Sequence, residues 1–187
     1  MARKKAYIES EVIEKAMNLF WRNGYETTSM QMLEKEMGIN KFSIYASFGS
    51  KNGVFLESLE CYKAKLNGLL TKLKESEKGV TSIKTYFYDF LDFSKNNEFG
   101  KGCLITNTAN EIGEDADAEI KKVLTDFTSE VRGIFKESLQ KETSFSQTSL
   151  NQKADYLIIA MFGLASASRM FQPSQLKSYI ENTFDNL

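Results

Sequence analysis

Apolar residues along this chain recur at spacings of three and four, the period of a helix face, and the pattern breaks into a series of helical segments. Val12, Ile13, Ala16, Met17 and Phe20 mark an amphipathic first helix over 8–23, closed by Gly24. Met30, Leu33 and Met37 mark a short second helix, for which Thr28 is the expected N-cap and Gln31 the partner completing a capping box. Gly38 suits a left-handed helix end, Ile39 can pin the turn into a core, and Asn40 is a good cap for a third short helix. On that helix Ile44, Tyr45 and Phe48 share roughly one face. Leu19, Phe20, Tyr25, Met30, Leu33, Ile39, Ile44 and Phe48 together predict a small core for this three-helix unit.

Ser50 can cap a fourth helix to about Lys74, with a seam of Phe55, Leu59, Tyr62, Leu66, Leu69 and Leu73. No Pro- or Gly-rich linker separates it from the unit before, so the connection should be rigid. A fifth helix carries Ile83, Phe87, Phe90, Leu91 and Ser94, and Gly100 and Gly102 punctuate a loop over 95–102. Residues 103–113 read as a short, largely buried helix. A long seventh helix follows from about Asp115 to Lys141, with Ile120, Leu124, Phe127, Val131, Ile134, Phe135 and Leu139 along its seam. The Ser/Thr-rich stretch 142–149 reads as a mobile loop. An eighth helix is expected over 150–171, stopped by Pro173, and a last one capped by Ser174. With no repeat and no convincing strand, the fold class is all-α.

Helix, glycine turn, helix is the spacing of the helix-turn-helix motif, whose second helix enters the DNA major groove. Spacing alone equally fits an ordinary hairpin in a bundle; the residue types discriminate. Gly38-Ile39-Asn40-Lys41, Ile44-Tyr45 and Ala46-Ser47-Phe48-Gly49-Ser50-Lys51, with Val12, Ala16, Leu19, Phe20 and the Gly24-Tyr25-Glu26-Thr27-Thr28 turn, closely resemble the N-terminal domain of the TetR family of transcriptional regulators. The resemblance runs through Phe55, about a quarter of the chain. Phe42 departs from it where a small residue is usual, and Gly53 where an acidic one is. It implies a helix-turn-helix DNA-binding domain over 1–50, continuous with a ligand-binding and dimerisation bundle over 51–187. Lys41, Phe42, Ser43, Ala46 and Ser47 lie off the presumed buried face of the third helix, free to meet DNA. The resemblance makes Tyr45 and Lys51 phosphate contacts and Thr28, with Ser29 beside it, a backbone anchor. Arg3, Lys4 and Lys5 form a basic arm able to reach a neighbouring groove or the phosphates.

Charge first looks wrong for such a role, since 24 basic and 25 acidic residues leave a net of −1. It is unevenly divided. Residues 1–52 hold 8 Lys/Arg against 6 Asp/Glu, a net of +2, and the remainder holds 16 against 19, a net of −3. A modest basic end suffices for a dimer, whose two copies add their phosphate contacts. The 187 residues contain no histidine, which excludes Ser-His-Asp and Cys-His catalysis, and Cys61 and Cys103 are too few for a disulfide framework or a zinc site. No cofactor or metal is expected. No apolar run of 18 residues and no signal-peptide pattern is present, so the expected location is the cytoplasm, away from membranes.

For the second half the resemblance implies ligand sensing and a homodimer. Tyr62, Leu66, Phe87, Phe90, Phe127, Met161 and Phe162 could line an apolar pocket, although each also fits plain core packing. Asn107, Asn110 and Glu111 are polar residues on a segment expected to be buried, and need partners, of which a bound ligand is one. Cys103, at a helix start beside Lys101, is a candidate reactive thiol or inert packing. The small residues Gly163, Ala165, Ala167 and Ser168, with Tyr179 and Ile180 on the last helix, suggest close approach across a two-fold axis. The expectation is a homodimeric regulator of double-stranded operator DNA, a repressor released by a small apolar or amphipathic inducer. Alternatives are an oxidant or electrophile sensor working through Cys103, an adaptor without ligand control, and, last, a helical-bundle enzyme.

Overall fold

The computed structural model describes residues 7–95, 102–142 and 145–187, and among these it holds nine α-helices and no strand. The basic arm Arg3-Lys4-Lys5 lies outside the described residues. Helix α1 (Glu9–Asn23), α2 (Met30–Met37) and α3 (Lys41–Phe48) form the N-terminal head. The body comprises α4 (Lys51–Glu75), α5 (Val80–Lys95), α6 (Leu104–Glu111), α7 (Ala118–Leu139), α8 (Gln147–Ala167) and α9 (Pro173–Asp185). No helix among the described residues is long and apolar enough to cross a membrane.

The helix starts show how local side chains choose the boundaries. Ser29 caps α2 by accepting from the Met32 N–H at 3.2 Å, not Thr28 as the capping-box pattern suggested. Thr28 is instead buried, its hydroxyl donating to the Gly24 carbonyl at 2.6 Å. Asn40 caps α3 through the Ser43 N–H and Ser50 caps α4 through the Gly53 N–H, both as expected. A side chain at Gly53 would strike the Phe48 carbonyl, so the departure from an acidic residue there has a steric reason. Ser146 caps α8, which begins at Gln147 inside the stretch expected to be a loop, and ends at Ala167. A serine-rich run reads as loop by propensity, yet one serine in it supplies the cap. Pro173 opens α9 at its first position, with Gln172 and Gln175 forming the capping box, so the proline starts a helix as well as ending the connection before it.

One helix serves both halves. The N-terminal turns of α4 give Phe55 to the head core, edge-on to Phe20 at 4.8 Å between ring centres. Tyr62, about two turns further along the seam, packs edge-on against Trp21 at 5.0 Å. Leu66, Leu70 and Leu73 then enter the body; Leu70 is buried where Leu69 was expected, and Leu69 is only half-covered. Helix α1 packs chiefly on α4, α7 lies on α4 and α8, and α9 closes over α5 and α8. Aromatic pairs of this kind add about 0.5–1.5 kcal/mol each beyond the area they bury.

Candidate nucleic-acid interface and effector sites

Within α3 the alternation is simple. Ile44 is fully buried, while Lys41, Phe42, Tyr45 and Ala46 point outward, Phe42 at 81% exposure and Tyr45 at 44%. An 81% exposed phenylalanine on a short, rigidly capped helix is costly to leave in water, and marks a surface made for contact. The Lys41 ammonium sits 5.8 Å from the Tyr45 ring centre. The Lys41 N–H donates to Glu34 at 3.0 Å, fixing the start of α3 against α2. Ser43 and Ser47 stand less free than expected. Tyr7 pairs with the Ser47 hydroxyl at 2.7 Å and reaches the Ser43 carbonyl at 3.4 Å, so this edge of α3 packs on the chain's own start. Lys51 is held at the rim: its ammonium lies 4.4 Å from the Tyr25 ring centre and donates to the Glu26 carbonyl at 3.3 Å. Of the expected anchor pair, Ser29 is exposed and Thr28 is not.

One carboxylate of the body is set into a turn of the head. Glu111, at the end of α6, accepts from the Tyr25 N–H at 2.8 Å and the Glu26 N–H at 2.7 Å. Two consecutive backbone donors in a turn make a nest for an anion, and Glu111 fills it. Gly24 has φ +86, and a Cβ there would lie 2.6 Å from a Glu111 oxygen, so glycine is required by both backbone and neighbour. The sequence offered Glu111 as a ligand contact; its burial partner is the head itself.

The expected pocket residues divide into separate groups. Leu66, Phe90, Cys103, Phe127, Met161 and Phe162 do line one apolar cavity among α4–α8, with Tyr86 and Ile158. The room inside is only about 20 Å³, enough for about one water, so this state is closed to a larger guest. Phe87 packs elsewhere, against Phe135 and Phe184. Tyr62 is fully buried, edge-on to both Trp21 and Phe93. Its hydroxyl lies beside Cys103 without a hydrogen bond of regular geometry, and burial holds it well above the ordinary tyrosine range, with Cys103 adding to the shift. Asn107, Asn110 and Glu111 line a different, polar cleft at the end of α1.

The exposed large apolar side chains among the described residues fall in two places. Ile8, Phe42 and Tyr45 are on the head; Tyr156, Ile159, Met170, Phe171 and Tyr179 are on α8, α9 and the turn between them. Ala165, Ser168 and Ile180 are buried within the chain, so they cannot present themselves to a second copy. Ala167 is half-covered. Gly163 is exposed, and its missing side chain leaves room for the Tyr179 hydroxyl of the same chain, which donates to the Ala160 carbonyl at 3.0 Å. The run of small residues thus serves α8–α9 packing first. Sequence reasoning missed Tyr156 and Ile159, although their spacing of three places both on one outer face of α8.

A capped helix-turn-helix, α2 and α3 joined at Gly38, is thus set on an all-helical body. Residues 12–58 match the family described as bacterial regulatory proteins, tetR family, so the head is similar to the N-terminal module of that family. It is 30% identical over 112 residues to the uncharacterized HTH-type transcriptional regulator YezE of Bacillus subtilis (strain 168), covering 59% of this chain and 58% of that one. It is 29% identical over 116 residues to the HTH-type transcriptional repressor ComR of Escherichia coli (strain K12), covering 61% and 55%. The matches thus span little more than half the length of these two relatives. A cysteine-substituted form of the TetR family regulator CifR, complexed with 26-base-pair double-strand operator DNA, superposes with a TM-score of 0.88 over 98% of both chains at 23% identity, which establishes the shared fold. By their names, these relatives are regulators of transcription.

Proposed function

We propose that the chain is a homodimeric repressor that binds double-stranded operator DNA through α3 and releases it when a small apolar or amphipathic inducer enters the body. The observation that carries this is the outward face of α3, where Lys41, Phe42, Tyr45 and Ala46 are all exposed, with Lys51 opening the helix that follows. Lysines and the tyrosine hydroxyl suit phosphates, which position the protein, whereas Phe42 and Ala46 suit thymine methyls, which specify sequence. In this reading residues 1–50 read DNA, and residues 51–187 sense and dimerise. Tyr156, Ile159 and Tyr179 supply an apolar face for the second copy. Such a protein works in the cytoplasm. The relatives YezE and ComR, by their names, support the regulatory reading.

Selection of bound duplexes from a random pool tests it. The expected product is a palindrome whose half-sites lie about 34–36 Å apart, one helical turn or a multiple. Recovery of unenriched sequence would contradict operator recognition. The inducer must part the walls of the present cavity, because about 20 Å³ admits nothing its size. Native mass spectrometry of the purified protein is the direct search for such a guest.

A second reading rests on Cys103, which is 6% exposed and sits on the wall of that cavity next to the Tyr62 hydroxyl. A soft electrophile drawn to the apolar space would meet this thiol. Cys103→Ser should then bind DNA as before and fail to release it on treatment with an electrophile or mild peroxide. Equal release by both proteins would return Cys103 to packing.

A further inference from the structure

A polar cleft of about 250 Å³ opens where the end of α1, the outer face of α6 and the turn after α8 meet. It is larger than the apolar cavity and chemically opposite to it. Arg22 of the head and Arg169 of the body both line it, together with Asn107 and Asn110. Glu111 is the one carboxylate in the lining, and its two oxygens already accept from the Tyr25 and Glu26 N–H groups. Arg22 pairs outward with Glu36 at 3.1 Å, whereas Arg169 makes no ion pair among the described residues. Trp21 on the wall is 3% exposed and its indole N–H is buried without an acceptor among the described residues. The lining thus sets two guanidinium groups, one from each side of the joint, against a single carboxylate that is already engaged.

We propose that this cleft binds a small organic acid, whose carboxylate is taken by the Arg169 guanidinium fork, with Arg22 and Asn110 on the facing walls. A planar carboxylate matches the fork through two parallel hydrogen bonds, which an ammonium or a neutral amide cannot reproduce. An occupant held by Arg22 and Arg169 together ties α1 to the end of α8, across the same joint that Glu111 fastens. The site is independent of the apolar cavity and of the DNA-reading assignment.

Trp21 is the sole tryptophan of the chain and lines the cleft, so its emission reports occupancy directly. Titration of the full chain with succinate should give a saturable change in that emission and a rise in melting temperature. Succinamide, the uncharged analogue, should give neither. Arg169→Ala should weaken succinate by about tenfold or more, in line with the loss of a charge-assisted pair, and Asn110→Ala should weaken it less. Arg169 is exposed and removing its side chain leaves the core intact, so circular dichroism should not change. Absence of a saturable response to succinate, or equal affinity in Arg169→Ala, would overturn the proposal. Inorganic phosphate binding as tightly as succinate would overturn the carboxylate assignment.

Discussion

Glu111 joins the head to the body through two hydrogen bonds from consecutive backbone N–H groups. A charged acceptor in such a nest contributes about 1.5–3 kcal/mol per bond when shielded, and less here because Glu111 and the turn are only half-buried. Glu111→Ala should therefore lower unfolding free energy by about 1–3 kcal/mol, read from denaturant titration. Gly24→Ala should destabilise comparably, because it forces a left-handed alanine onto the same carboxylate. Unchanged stability in both variants would remove the clasp from the account. Phe42 carries a different prediction: at 81% exposure its removal relieves the free protein. Phe42→Ala should leave stability within about 0.5 kcal/mol while changing which operator is preferred.

Helices α8 and α9 are held to their neighbours by exposed ion pairs as well as by core. Arg132 donates to Asp155 at 2.5 Å and holds its carboxyl below the ordinary range. Lys84, and then Tyr88, do the same to Glu181, linking α5 to α9. Both folded carboxyls favour the ionised form, so their support is present above the ordinary carboxylate pKa and lost as pH falls through the folded value, below roughly pH 4. Both groups are exposed, so the effect is modest. A D155N/E181Q variant should melt lower than wild type near about pH 7 and converge with it near about pH 3; equal melting at both would contradict this. The outer face of α8 gives the assembly prediction. Ile159→Arg, at a position 71% exposed, should yield a folded monomer by sedimentation, and a persistent dimer would move the interface elsewhere. Ala165→Arg is no test of assembly, since Ala165 is 2% exposed and arginine there disrupts the chain itself. Periodicity identified these helices readily, because Leu157, Ile158 and Met161 repeat along the buried side. It could not separate small residues that admit Tyr179 from small residues that admit another chain. The start of α8 was illegible for a related reason: serine disfavours helix interiors and favours caps, and the pattern does not say which use prevails.

Across the whole molecule, α4 runs from Phe55 in the head core to Leu73 in the body without interruption, so the two ends share one rigid rod. An inducer that parts the cavity walls at Leu66 and Phe90 acts on that rod directly. It can weaken DNA binding only through its differential affinity for two arrangements, typically 1–3 kcal/mol, and operator DNA must weaken inducer binding by the same factor. Calorimetric titration of an inducer with and without operator should show that reciprocity, and equal affinities would favour the adaptor alternative. The head was legible because the Asn40 and Ser50 caps, the glycine turns and the apolar spacing agree over a short stretch; the α2 cap was not, since Thr28 and Ser29 are adjacent capping types and only the fold buries the first. The effector sites were not, because Phe87 and Phe90 have the same composition and period while only Phe90 reaches the cavity. The central claim is that the outer face of α3 contacts DNA. Its most direct test is the affinity of wild type and of a K41A/Y45A/K51A variant for one duplex, measured by fluorescence anisotropy across a salt series. Each phosphate contact contributes about 0.9 to the slope of log affinity against log salt, so the variant should bind more weakly with a slope flattened by up to about 2.7 per protomer. An affinity and a slope both equal to wild type would contradict the account.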